Sequence, residues 1–383
     1  MKKLIGTAVL AALVATSAFA EISLGAWVRT LVVPVAGDGD EIYTGMTNSW
    51  GGGIRPARLD VRGTSEDGKV GMMLDFFANN GGVEIGDYCA GWFAPAEWVK
   101  FTVGKIDSGY TLRSDLTFGA WNWLRPGNMC QGGETVYEDE GITFNMGGGT
   151  GMEIDLFPVE GLQISALLSC WDWGNKKGNE AWRRFGNSWA AVAYTIADVG
   201  TIKVGFNGKA GEHNGGDGYG ALQAAFDLRA VENLYITIGV REINFYEEYA
   251  DGDIRLLPAI GASYQILDNF KVSAHFGVAV YEEDDPSFQF GVGIDFGITD
   301  TISLSADFRG VIPGDNADGT SVDPMFSFLV GVDWNFSSNG QIGIGFQGAT
   351  GGAGLCRDTS WNVTMNHGDD FAWAVPIKFG YWF

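Results

Sequence analysis

The sequence predicts an all-β protein: a transmembrane antiparallel β-barrel of about 18 strands, with 16 or 20 as alternatives. Three observations predict it. One pattern recurs along the chain: an alternating apolar run, a tight polar turn, a second alternating run, then a longer loop. A period of two sets one strand face on an apolar surface and the other on a polar one. The last segment, Phe371 to Phe383, carries a large apolar residue at every odd position. The composition has 58 Gly, 25 Phe, 14 Trp and 12 Tyr against 10 Pro, which suits turns, close strand approach and interfacial aromatic girdles. No internal run approaches the ~20 apolar residues of a membrane helix. Backbone in lipid must satisfy its own hydrogen bonds, so the spanning alternative is a closed barrel.

The elements follow in order. Met1 to Ala20 reads as a secretory signal: Lys2 and Lys3, an apolar run from Leu4 to Val14 too short to span a bilayer, and Ala18-Phe19-Ala20 as the cleavage site. The mature chain would begin at Glu21 and form a single domain to Phe383. An opening strand is expected near Ile22 to Leu31. Tight turns are expected at Thr64 to Gly68, Pro95 to Glu97, Val159 to Gly161, Asp198 to Gly200, Val231 to Asn233, Leu267 to Asn269, Thr299 to Thr301 and Ser337 to Gly340. Eight hairpins plus an opening and a closing strand make 18. The spacing fails once, between the turns at 95 and 159. That gap holds either one very long loop or a further hairpin near Arg125 to Asn128.

The alternation also assigns faces. Leu222, Ala224, Phe226 and Leu228 oppose Gln223, Ala225 and Asp227. Val272, Ala274, Phe276 and Val278 oppose Ser273, His275 and Gly277. On the closing strand Ala372, Ala374, Pro376, Lys378 and Gly380 face the interior. Pro376 lacks a donor, so a bulge or ladder break is expected there, where the barrel closes.

Charge and chemistry narrow the function. Without Lys2 and Lys3 the chain has 22 basic and 47 acidic residues, a net charge of −25. That argues against nucleic acid or anionic lipid headgroups as partners. The acids gather in expected loops, at Asp38 to Glu41, Glu134 to Glu140, Glu247 to Asp253 and Glu282 to Asp285. Of four cysteines, Cys130 and Cys356 fall in loops and are the disulfide pair to test first. Three histidines and no H-E-x-x-H, G-x-S-x-G or P-loop motif give no catalytic site, and no cofactor or metal is expected.

The closing strand with its terminal Phe383 resembles the signature by which outer-membrane barrels are recognised for insertion. Together with the signal segment and the hairpin pattern it makes the chain similar to bacterial outer-membrane porins. The run Pro95 to Lys105 has the flavour of spirochaetal major outer-membrane proteins. General porins fold a long acidic loop into the lumen opposite basic wall residues, and the segment Ile106 to Met146 resembles that loop. The resemblance implies pore-lining or constriction roles for Asp107, Arg113, Asp115, Arg125, Glu138, Asp139 and Glu140. Alternation adds wall candidates at Arg29, Arg58, Asp60, Arg62, Lys100 and Arg241. The implied function is passive diffusion of ions and small hydrophilic solutes with a weak cation preference. The implied partners are outer-membrane lipid, the barrel-assembly machinery and two further copies in a trimer. A surface adhesin and a substrate-specific transporter are the alternative functions.

Overall fold

The computed structural model describes residues 21–39, 41–47, 57–79, 82–106, 112–116, 129–131, 134–137, 142–169, 188–209, 219–244, 254–321, 323–351 and 371–383. The strands are β1 (Glu21–Asp38), β2 (Glu41–Thr47), β3 (Ala57–Thr64), β4 (Val70–Asn79), β5 (Gly82–Ala96), β6 (Val99–Ile106), β7 (Leu112–Asp115), β8 (Met129–Gln131), β9 (Glu134–Tyr137), β10 (Ile142–Met146), β11 (Gly149–Val159) and β12 (Leu162–Ser169). They continue with β13 (Trp189–Ile196), β14 (Gly200–Lys209), β15 (Tyr219–Leu228), β16 (Leu234–Asn244), β17 (Ile254–Leu267), β18 (Phe270–Tyr281), β19 (Ser287–Gly297), β20 (Ile302–Ile312), β21 (Met325–Ser337), β22 (Gly340–Thr350) and β23 (Ala372–Trp382).

The wall is a closed antiparallel barrel of 18 strand positions. β1 pairs with β23 from Trp27 to Asp38, which closes the cylinder. Its other edge is shared: Glu21 to Val28 pair with β3, and Leu31 to Asp38 pair with β2. β2 and β3 therefore fill one position in the wall. β6 pairs directly with β11, so the long segment between them adds no strand to the wall. That direct pairing removes the 20-strand alternative and leaves 18. Residues 125–128, the alternative place for a further hairpin, lie outside the described residues, as does the signal segment.

All eight expected tight turns join consecutive wall strands. They tolerate left-handed backbone where needed: Gly161 has φ 79°, and Asp198 and Asn233, of the two residue types whose short polar side chains suit this region, have φ 60° and 63°. Two rows of aromatics lie on the outside of β19–β23. Toward the long loops Phe290, Phe308 and Phe326 pack in series. Toward the tight turns Trp334, Phe336 and Phe379 do the same. Phe326 and Phe336 lie ten residues apart on β21. That is roughly 33 Å along the strand, or about 25 Å along the membrane normal at ~40° tilt, the height of a lipid-facing band. Between the rows Val330, Val332, Ile342, Ile344 and Val292 stand exposed on the outside.

The seam breaks where expected. Val32 pairs with Ile377 and Val35 with Val375, so two β1 residues, Val33 and Pro34, face Pro376 alone. The β22 ladder also stops there, between Ile344↔Ile377 and Gln347↔Ala374. Two prolines without N–H donors meet at one level, and the extra residue bends β1 past them.

Candidate functional site: an inserted hairpin and a charged inner wall

The inner wall is built by the alternation that exposes the apolar outer face. Inward positions carry charge in matched pairs. Arg58 bonds Asp60 on its own strand and Asp75 across β4 (2.6 Å). Lys203 meets Asp227 at 2.7 Å, Lys271 meets Asp295 at 3.0 Å, and Arg309 meets Asp307 at 3.1 Å. Lys378 on β23 reaches Asp333 on β21 at 2.9 Å, across Gly343 of the strand between them. On β11 Glu153 and Asp155 face inward and are buried, and Ser165 donates to Asp155 at 2.6 Å. Pairing compensates the loss of water around each buried charge.

One arc of this wall is different. Between inward Trp189, Lys203, Gln223, Asp227 and Thr237, many of its inward positions are small: Ala191 and Ala193 on β13, Gly205 on β14, Ala221 and Ala225 on β15, Gly239 on β16, Ala259 and Gly261 on β17. A water-filled lumen does not call for that choice. The reason is what lies on it. β7 and β10, which leave and return to the wall at Ile106 and Gly149, pair as a two-stranded hairpin. Leu112, Phe144 and Met146 join Tyr88, Leu167, Trp189 and the wall alanines in one buried apolar cluster. A Cβ on Gly205 would come within 2.8 Å of Met146 Cγ, and one on Gly239 within 2.8 Å of the Thr143 carbonyl oxygen. The missing side chains make room for the hairpin.

Polar contacts fix its position. Lys203 Nζ donates to the Arg113 carbonyl oxygen (2.6 Å), Ser114 Oγ (2.7 Å) and Asp227 Oδ2 (2.7 Å). Ser114 Oγ also bonds Asp227 at 3.0 Å. The Thr143 and Thr237 hydroxyls bond each other, and the Asn145 backbone N–H donates to Gln223 Oε1 at 2.9 Å. Trp189 Nε1 donates to the Gly148 carbonyl oxygen at 2.8 Å.

The sequence candidates distribute as follows. Arg58, Asp60 and Arg62 share the inner face of β3, and Arg62 is the exposed one. Lys100 faces inward, in register with Asp155, with its ammonium 5.7 Å from the Trp92 ring centre. Arg241 is half-buried on β16, where the ladder shifts after Val240. Arg113 is half-buried on β7, between buried Leu112 and Ser114. Arg29 pairs with Gly380 and Asp115 with Ile142 through the backbone, but their side chains lie outside the described residues. Asp107, Arg125, Glu138, Asp139, Glu140, Cys356 and the side chain of Cys130 lie outside them too. Ser273 and His275 are buried on the inner face, as their parity predicts. The sequence reading placed Asp227 on the inner face but missed Asp75, Glu153, Asp155, Lys203, Asp307, Arg309 and Asp333 as inner-wall charges. The signal was available: each has the parity opposite to most of the apolar residues of its own strand.

No protein-family model matches the chain, and no curated protein matches it in sequence. Solved structures do match. The anion-selective porin from Comamonas acidovorans superposes with a TM-score of 0.51 at 12% identity, over 95% of this chain and 99% of that one. The fold is a porin fold. The Salmonella typhi OmpF complex with daunomycin gives a TM-score of 0.49 at 10% identity, over 94% of this chain and 97% of that one. At such identities the likeness speaks for the porin fold and leaves the solute to be argued from this chain's own residues.

Proposed function

We propose that this chain is an outer-membrane channel through which ions and small hydrophilic solutes diffuse passively, with a weak cation preference. The observation that carries the reading is the β7–β10 hairpin seated inside a closed barrel whose outer face is apolar. A hairpin on one arc of the inner wall leaves the passage to the opposite arc. β3 stands on that arc, and Arg58, Asp60 and Arg62 on its inner face are all at least partly exposed. Opposed charges across a narrow lumen set up a transverse field, and the width left beside the hairpin sets the size limit. A hydrated dipolar solute aligns in that field; an apolar one disrupts ordered water. The net charge of −25 after removal of residues 1–20 raises the local concentration of cations at the mouths.

In this proposal residues 1–20 direct export, and the closing strand ending in Phe383 directs assembly into the outer membrane. Trimeric association, implied by the resemblance to general porins, belongs to the same proposal. Reconstitution into planar bilayers tests it. Stepwise conductance is expected, with a reversal potential in a KCl gradient on the cation side. A folded, heat-modifiable barrel without stepwise conductance overturns the channel reading, and an anion-side potential overturns the preference.

A further inference from the structure

The Lys203 ammonium has three N–H donors, and all three are used: one on the Asp227 carboxylate of the neighbouring wall strand, one on Ser114 Oγ and one on the Arg113 carbonyl oxygen of the inserted hairpin. Two of the three partners belong to the hairpin. The group is buried, with 7% of Lys203 and 4% of Asp227 exposed. A buried ammonium with every donor engaged has one low-energy position, unlike an exposed lysine that samples many.

The backbone oxygen it holds belongs to Arg113. On β7 Leu112 and Ser114 are buried toward the wall, and Arg113, the residue between them, is turned to the other side by the period of two. Among the described residues of β7 and β10, Arg113 is thus the one cation on the face turned from the wall, half-buried and with its Nε enclosed. We infer that Lys203 is a positioning residue for ion selection: by gripping the Arg113 peptide it sets where the Arg113 charge stands in the passage. This inference rests on the channel reading above. It assigns to a wall lysine, remote from the open arc, a role in which ions pass and how fast.

The test is made in planar bilayers with the full chain. In Lys203→Met with Asp227→Asn, both charges of the pair are removed, so no lone charge is left buried. A raised single-channel conductance and a shifted reversal potential in a KCl gradient are expected. Arg113→Ala in the native background should also shift the reversal potential, and less so once the Lys203–Asp227 pair is gone, since the two changes act on one charge. Thr143 and Thr237 touch through their hydroxyls, so cysteines at both positions can pin the hairpin independently. Oxidation of that cysteine pair in the Lys203→Met, Asp227→Asn chain should return conductance and reversal potential toward native, and reduction should release them. Heat-modifiable gel mobility confirms that each variant is a folded barrel. Native conductance and reversal potential in the folded double variant overturn the inference while leaving the channel intact. No conductance in the native chain overturns the channel reading itself.

Discussion

Phe144 is the residue on which the seat of the inserted hairpin most depends. It is fully buried, 0% exposed, in the cluster formed by Leu112, Met146, Trp189 and the alanines of β13 and β15. Phe144→Ala removes a ring from a packed site that the neighbouring wall strands cannot close over, because their backbone is held in the barrel ladder. Such changes cost about 3–5 kcal/mol. The cost falls on the seated hairpin and not on the barrel, since β7 and β10 pair only with each other. At ~1.4 kcal/mol per tenfold, the lifted population should rise roughly 10²-fold to a few thousand-fold. A cysteine at Ala225, buried in the same cluster, reports that population. With the chain's own cysteines replaced by serine, its reaction with a water-soluble maleimide follows the lifted fraction when reclosing is fast. The expected result is a labelling rate faster by the same factor in Phe144→Ala. A cysteine at Ser303, on the inner face of β20, should label at the native rate. An unchanged rate at Ala225, or an equal rise at both positions, refutes the reasoning.

Two other outcomes test the wall. Lys378→Met leaves the Asp333 carboxylate buried without its partner beside the seam, at a cost of about 3–5 kcal/mol. The unheated barrel should convert to its slow-migrating form at a lower temperature, and Asp333→Asn added to it should recover most of the loss; conversion at the native temperature counts against the pair. In the β3–β4 turn, the Ser65 hydroxyl (2.8 Å) and the Lys69 backbone N–H (3.2 Å) hold the Asp67 carboxyl below the usual carboxylate range. Its lowered folded value means the turn's contribution is complete above the unfolded value of ~3.9 and is lost only as pH falls through the lower one. Asp67 should titrate below ordinary aspartate by carboxyl-carbon NMR, Ser65→Ala should raise that midpoint, and an unmoved midpoint excludes the hydroxyl as its cause.

What sequence determined here is whatever obeys a local period. Alternation on β15 and β18 assigned Phe226 and Phe276 to the outside and Gln223, Asp227, Ser273 and His275 to the inside, because successive side chains in a strand must point opposite ways. Tight turns counted the hairpins, and Pro376 marked the seam break because a missing N–H is a property of the residue itself. The same parity made Lys203, Asp307 and Asp333 inner-wall groups, although it did not pair them. Pairing depended on register, which brings Lys378 and Asp333 to one level across Gly343 only when three strands are aligned. The porin resemblance placed the long segment after Lys105 in the lumen; tertiary structure alone decided which arc of the wall it lies on. Leu112, Ser114, Phe144 and Met146 look like an ordinary short strand pair. Ala193, Ala225, Gly205 and Gly239 look like weak strand residues. Neither set explains the other until the barrel closes and lays the small residues of β13–β17 beneath the hairpin. Contacts between residues about a hundred positions apart, such as Ser114 with Asp227 and Thr143 with Thr237, carry no local signal in the chain. They exist because the closed barrel holds that wall within reach of a segment that leaves it at Ile106 and rejoins it at Gly149.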